Sequence, residues 1–120
     1  MTELDDKLLT ISNEFRSCQK FLTAVGDPTR QHIILEMIKM TECGGVRVNE
    51  VTARTNLSRP AVSHHLQILK DAGILKMRRD GTKNYYYFDT SESSIEEMQS
   101  LLVHIQGIMS IMPDRKGNDD

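Results

Sequence analysis

Asn56-Leu57-Ser58-Arg59-Pro60-Ala61-Val62-Ser63-His64-His65-Leu66-Gln67-Ile68-Leu69-Lys70-Asp71-Ala72 carries a start signal, an amphipathic body and a stop signal. Ser58 can accept from the first free amides of a helix, Pro60 fits an opening turn that needs no intrahelical donor, and Gly73 closes the element. At about 100° per residue, Val62, Leu66 and Leu69 fall on one side. Arg59, Ser63, His64, Gln67 and Lys70 fall on the other. One face can anchor while the other offers hydroxyl, imidazole, amide and cationic groups, the chemistry that base edges accept.

The neighbouring segments give this helix a context. Upstream, Val48 to Thr55 reads as a short helix packing through Val51 and Ala53, and Asn56-Leu57-Ser58 supplies a three-residue turn, so the pair forms a helix-turn-helix. Downstream, Ile74-Leu75-Lys76-Met77-Arg78-Arg79 and Asn84-Tyr85-Tyr86-Tyr87-Phe88 are β-prone runs joined by Asp80-Gly81-Thr82-Lys83. They predict a basic β-hairpin, or wing. Val46-Arg47-Val48 is expected to form a short strand at its base.

Further out, Leu4, Leu8, Ile11, Phe15, Cys18 and Leu22 alternate spacings of four and three, a heptad seam. A helix begins at Asp27-Pro28, with Asp27 as cap, and runs through Ile33, Ile34, Met37 and Ile38 to about Met40. The last helix is expected from about Ser91 to Met112, with Ile95, Met98, Leu101, Leu102, Ile105, Ile108, Met109 and Met112 at helical spacing. The fold class is therefore mostly α with a small β-wing, a winged helix-turn-helix over 1–112 followed by a disordered tail from Pro113. Two amphipathic helices flanking such a unit are expected to pair across a two-fold axis, with Leu4, Leu8, Ile11, Phe15, Leu101, Ile105, Ile108 and Met112 as the dimerising residues.

Composition bounds the function. At 120 residues and 38% hydrophobic, the chain suits one domain with a modest core. The start, Met-Thr-Glu-Leu-Asp-Asp, does not resemble a secretory signal, no apolar run reaches membrane-spanning length, and two cysteines without export signals suit a reducing compartment. A cytoplasmic location is expected. The formal net charge is −2, yet Arg54 to Tyr87 holds seven basic and two acidic residues, so a head of +5 sits on a body of −7. Such a head suits phosphate. No Gly-rich phosphate loop, nucleophile elbow or His-Glu-x-x-His pattern is present, which argues against an enzyme.

Three stretches resemble the ArsR/SmtB family of bacterial winged-helix transcriptional regulators. They are Gly26-Asp27-Pro28-Thr29-Arg30 with the apolar helix after it, Ser58-Arg59-Pro60-Ala61-Val62-Ser63-His64-His65-Leu66 with Leu69, and Gly73-Ile74-Leu75 leading to Arg78-Arg79-Asp80-Gly81 and Tyr85-Tyr86-Tyr87. The resemblance implies a homodimeric repressor that leaves operator DNA when an inducer binds, and many such proteins sense metals. It also places a histidine at the position of His65. The family's metal sites do not carry over: positions matching a Cys-x-Cys pair hold Arg47 and Asn49, which cannot replace thiolates, and the last helix offers His104 with Glu92, Glu96 and Glu97. At best His104 joins a site completed by a partner subunit. No cofactor and no metal site are expected.

Cys18, on the apolar seam, reads as a small buried hydrophobe, and Cys43, beside two glycines, as the more exposed thiol. His64 and His65 point about 100° apart on a helix and do not make a natural ligand pair. His65 is expected to pack or bond within the helix-turn-helix and His64 to face DNA.

The predicted partner is double-stranded operator DNA, contacted by two recognition helices in successive major grooves. Ser63, His64 and Gln67 would meet base edges and Arg59 guanine or phosphate, with Ser58 and Lys70 on the same surface. Arg78, Arg79 and Lys83 on the wing would meet phosphate or the adjacent minor groove. The residues specify no effector: a small molecule, a thiol signal, a partner protein or none is compatible with them. A winged-helix module that binds protein instead is the alternative, supported by the tyrosine run, although alternation requires at least one of those tyrosines to pack inward.

Overall fold

The computed structural model describes residues 2–40, 44–91 and 93–113, apart from the side chain of Ser93. Among the described residues seven elements follow one another: α1 (Glu3–Val25), α2 (Pro28–Lys39), α3 (Val48–Thr55), α4 (Arg59–Asp71), β1 (Leu75–Asp80), β2 (Lys83–Phe88) and α5 (Ser93–Ser110). They divide into two compact units, residues 19–94 and a second comprising 1–18 with 95–120.

Local chemistry sets the boundaries in the first unit. Asp27 accepts from the N–H groups of Thr29 (2.8 Å) and Arg30 (3.0 Å), and Pro28 opens α2. Glu50 accepts from the Arg47 N–H at the start of α3 (2.9 Å). That helix ends at Asn56, whose φ of 55° is a left-handed conformation that asparagine tolerates. Ser58 Oγ accepts from the Ala61 N–H (3.2 Å) and caps α4. At the other end Gly73, with φ of 80°, donates to Lys70 O while Ile74 donates to Leu69 O, both at 3.0 Å. This is a Schellman closure.

Burial follows the apolar stripes. Val62, Leu66 and Leu69 of α4 are fully buried together with Val51 of α3 and Ile33 of α2. Leu75 and Tyr86 extend this core onto the hairpin. Ala53, expected to pack, is exposed, and Thr55 takes the buried place instead, its hydroxyl donating to Val51 O (3.0 Å). A threonine can do this because the preceding turn of helix supplies an acceptor for its hydroxyl.

The hairpin is antiparallel and in register from Leu75↔Phe88 to Asp80↔Lys83. Asp80 and Lys83 are thus the last rung, and the turn is only Gly81-Thr82, shorter than the four-residue loop expected. Gly81 has φ of 65° and Thr82 is not among the positive-φ residues, the pattern of a type II′ turn with glycine first. Tyr86 points into the core while Tyr87 is exposed, as alternation requires. The strand expected over Val46-Arg47-Val48 reduces to one bridge, Val46↔Tyr86, with two hydrogen bonds of 2.8 Å. Arg47 and Val48 are already committed to starting α3.

In the second unit, Thr2 and Asp5 close a reciprocal cap at the start of α1, and Glu14 accepts from Ser100 Oγ (2.6 Å) and sits 2.6 Å from His104 Nδ1. α5 is two residues shorter at each end than expected. Leu101 and Ile108, expected on the dimerising face, are instead covered within one chain, at 1% and 7% exposure. The large apolar residues left exposed there are Leu4, Leu8, Leu9, Phe15, Ile95, Leu102, Val103, Met109, Ile111 and Met112. Ile11 and Ile105 are half-buried. Both sides of α5 carry apolar side chains, so periodicity could not say which side one chain covers. The expected tail lies almost wholly outside the described residues.

Candidate nucleic-acid interface

α4 stands on the core through Val62, Leu66 and Leu69, which leaves Arg59, Ser63, His64 and Gln67 exposed on its other side. Ser58 is exposed at its start, and Lys70 is half-buried near its end. The face read from the sequence is therefore assembled on one helix and open to solvent. Gln67 is engaged: its amide donates to Asp71 Oδ1 one turn later (2.9 Å). Among the described residues, Arg59, Lys70 and Lys83 make no ion pair.

The wing arginines differ from one another. Arg78 donates to Gly44 O (2.7 Å), lies 3.8 Å from an Asp80 carboxylate oxygen and stacks 4.6 Å from the Tyr85 ring centroid. It pins the hairpin to the turn before Val46. Among the described residues Arg79 meets only a neutral group, donating from Nε to Gly81 O (3.1 Å), so its charge stays available to phosphate. Lys83, on the facing strand, is exposed as well. Lys76 pairs with Asp89 at 3.7 Å, and the Ser91 N–H holds the Asp89 carboxyl below the usual carboxylate range.

Behind the reading face lies a group that sequence reasoning missed. Arg30, only 8% exposed, donates from Nε to Ala24 O (2.8 Å) and from Nη2 to Thr23 O (3.1 Å), and its Nη1 meets His65 Nδ1 at 3.2 Å. His65 does bond, but its partner lies on α2, outside the helix-turn-helix. The near-sequence signal was slight, since nothing local says that an arginine one turn into an amphipathic helix will be buried.

Other candidate chemistries find little support. Among the described residues no three His, Cys, Asp or Glu side chains converge as a metal site, and His104 meets Glu14. Arg47 caps α3 and Asn49 is exposed. Cys18 is buried, and that burial, with Glu97 and Glu14 nearby, pushes its thiol up, away from thiolate reactivity. Cys43 and Glu92 lie outside the described residues.

The architecture recurs in proteins of known kind. The family model for bacterial regulatory proteins of the arsR family matches residues 27–76, which hold α2, the helix-turn-helix and the start of the wing. An uncharacterized HTH-type transcriptional regulator of Methanocaldococcus jannaschii is 39% identical over 74 residues, covering 62% of this chain and 80% of that protein. The transcriptional repressor SdpR of Bacillus subtilis is 37% identical over 68 residues, covering 57% of this chain and 71% of its own. In fold, the chain is similar to a crystal structure of an ArsR family transcriptional regulator, with a TM-score of 0.66 at 16% identity over 82% of this chain and 95% of the other. NolR from Sinorhizobium fredii gives a TM-score of 0.53 at 24% identity over 84% and 90%.

Proposed function

The chain belongs to the ArsR family of bacterial regulatory proteins, and we propose that it is a homodimeric repressor that binds operator DNA sequence-specifically in the cytoplasm and is released by an effector. It is a transcriptional regulator of the winged-helix class and not an enzyme. One observation carries the DNA reading: Arg59, Ser63, His64 and Gln67 are exposed along one side of a helix whose other side is locked in the core. A helix held in this way presents its side chains together to a major groove.

Arg59, with no ion-pair partner among the described residues, reaches guanine or phosphate from the first turn, and Ser63, His64 and Gln67 meet base edges along the helix. Arg79 and Lys83 lay the wing against the backbone and supply salt-sensitive affinity that is nearly independent of sequence. Arg78 contributes chiefly by fixing the wing root, because its guanidinium is already shared among Gly44, Asp80 and Tyr85.

The exposed apolar residues of α1 and α5 support self-association, since so many large apolar side chains are costly to leave in water. A two-fold dimer would place the two α4 helices about 34 Å apart, one turn of duplex. No helix among the described residues is long and apolar enough to cross a membrane. Repression then follows from occupying a promoter.

Selection of binding sites from a randomised duplex pool tests this directly. The expected product is an inverted repeat with half-sites about one helical turn, or a multiple of it, apart. Recovery of no enriched sequence, with binding that depends on salt alone, would contradict sequence-specific recognition.

A further inference from the structure

Arg30 joins three parts of residues 19–94 that DNA recognition needs in register. Its Nε and Nη2 donate to the Ala24 and Thr23 carbonyls at the C-terminal end of α1, its Nη1 meets His65 on α4, and its Nη2 lies 3.8 Å from Asp27, the cap of its own helix. His65 precedes Leu66, an anchor of α4, and follows His64 on the exposed side. The guanidinium has five donors and no acceptor. His65 Nδ1 must therefore accept, which requires a neutral imidazole carrying its proton on Nε2.

We propose that Arg30 and His65 are positioning residues for DNA recognition: their bond holds α4 on the α1–α2 corner in its DNA-competent pose, and protonation of His65 releases it. This rests on the DNA-binding reading given above. Protonating Nδ1 removes the acceptor and sets an imidazolium against a permanently charged guanidinium that two backbone carbonyls hold in place. The charged and titratable groups facing His65 are Arg30 and Asp27 from α2 and its neighbour His64, whose ring centroid lies 5.9 Å away. Burial first, and then the Arg30 charge, hold the His65 imidazole below its ordinary value, while Asp27 opposes them. The neutral form is thus the one the fold selects, and the pair responds to acidification below that value. Arg30 thus bonds both the end of α1 and α4.

The test compares the wild type with His65→Asn and His65→Leu, each checked for folding by circular dichroism, on the duplex obtained by selection, from pH 8 to pH 5.5. Asparagine places Oδ1 where His65 has Nδ1 and does not titrate. His65→Asn is expected to match the wild type at pH 8 and to bind several-fold more tightly than it at pH 5.5, by a ratio that grows as pH falls and has the about ten-fold loss of one hydrogen bond to a charged donor as its ceiling. His64 is common to both proteins, so its own contact with DNA is shared by the two. His65→Leu is expected to bind about ten-fold more weakly than the wild type at pH 8, with little change between the two pH values in the part due to residue 65. A wild-type to His65→Asn ratio that stays flat across pH overturns the proposal, and so does a His65→Asn protein that fails to fold. If His65→Leu alone fails to fold, the pH ratio decides. A wild type that binds no duplex at pH 8 overturns the DNA reading itself, and this inference with it, whereas a binding wild type with a flat ratio overturns this inference alone.

Discussion

Gln67 donates its side-chain amide to the Asp71 carboxylate 2.9 Å away, so a group on the reading face of α4 is already paired before any duplex arrives. An amide must turn away from such a partner to bond adenine with both of its ends. Asp71 also sets a negative charge beside the surface proposed to meet phosphate.

Removing that carboxylate with Asp71→Ala should therefore tighten DNA binding several-fold at low salt, with less effect at high salt, where the charge is screened. Fluorescence anisotropy with a labelled duplex at two salt concentrations measures this. Weaker binding by the variant would mean that Asp71 orients Gln67 for recognition instead of restraining it.

The α4 anchors should behave as core residues. Leu66 and Leu69 are both 0% exposed, and Leu66→Ala should cost about 2–5 kcal/mol of stability, read from urea unfolding. Ser63→Ala on the exposed side should change stability by less than about 0.5 kcal/mol while weakening DNA binding. A similar stability loss for both would contradict the division of the helix into an anchoring and a reading side.

Asp27 gives stability a defined acid limb. The Arg30 backbone N–H, with help from the Arg30 charge and the Thr29 N–H, holds its carboxyl below the usual range. The folded form thus binds a proton less readily than the unfolded chain. The resulting stability is fully present above the ordinary carboxylate value near 4 and is lost as pH falls through the lowered folded value. Asp27→Asn keeps a capping oxygen but no charge, so its urea midpoint should fall less steeply between pH 5 and pH 2.5. Parallel acid limbs for the two proteins would count against this origin.

Self-association should depend on exposed apolar residues and not on covered ones. Val103 and Met109 are 61% and 64% exposed on α5. Val103→Glu or Met109→Glu should shift sedimentation toward the monomer at micromolar concentration without lowering the melting temperature of the monomeric protein. A wild-type protein that sediments as a monomer at every accessible concentration would contradict the dimer.

Much of the reading head was legible because its signals are local. Ser58, Pro60 and Gly73 mark the ends of α4 through bonds within a few residues, and the positions of Val62, Leu66 and Leu69 follow from helical periodicity alone. What escaped the sequence depends on distant partners. Arg30 entered the sequence reading only as part of the stretch Gly26-Asp27-Pro28-Thr29-Arg30, and only the fold brings His65, 35 residues away, to its guanidinium. Arg78 was read with Arg79 and Lys83 as one phosphate-binding set, yet the Gly44 carbonyl, 34 residues upstream, claims it. On α5, Leu101 and Leu102 are adjacent and equally apolar, and nothing in that pair says that the first is covered and the second exposed.

In the proposed complex the exposed side of α4 reads bases while the wing adds affinity without sequence. The most direct measurement is the binding of Gln67→Ala and Arg79→Ala to the selected duplex and to single-base variants of it, over a range of salt. Gln67→Ala is expected to lose about 1–3 kcal/mol of discrimination at one position with an unchanged salt slope, whereas Arg79→Ala is expected to weaken every duplex alike and to reduce the slope by about one. Identical behaviour of the two variants, or a sequence preference left untouched by Gln67→Ala and by Ser63→Ala, would contradict it.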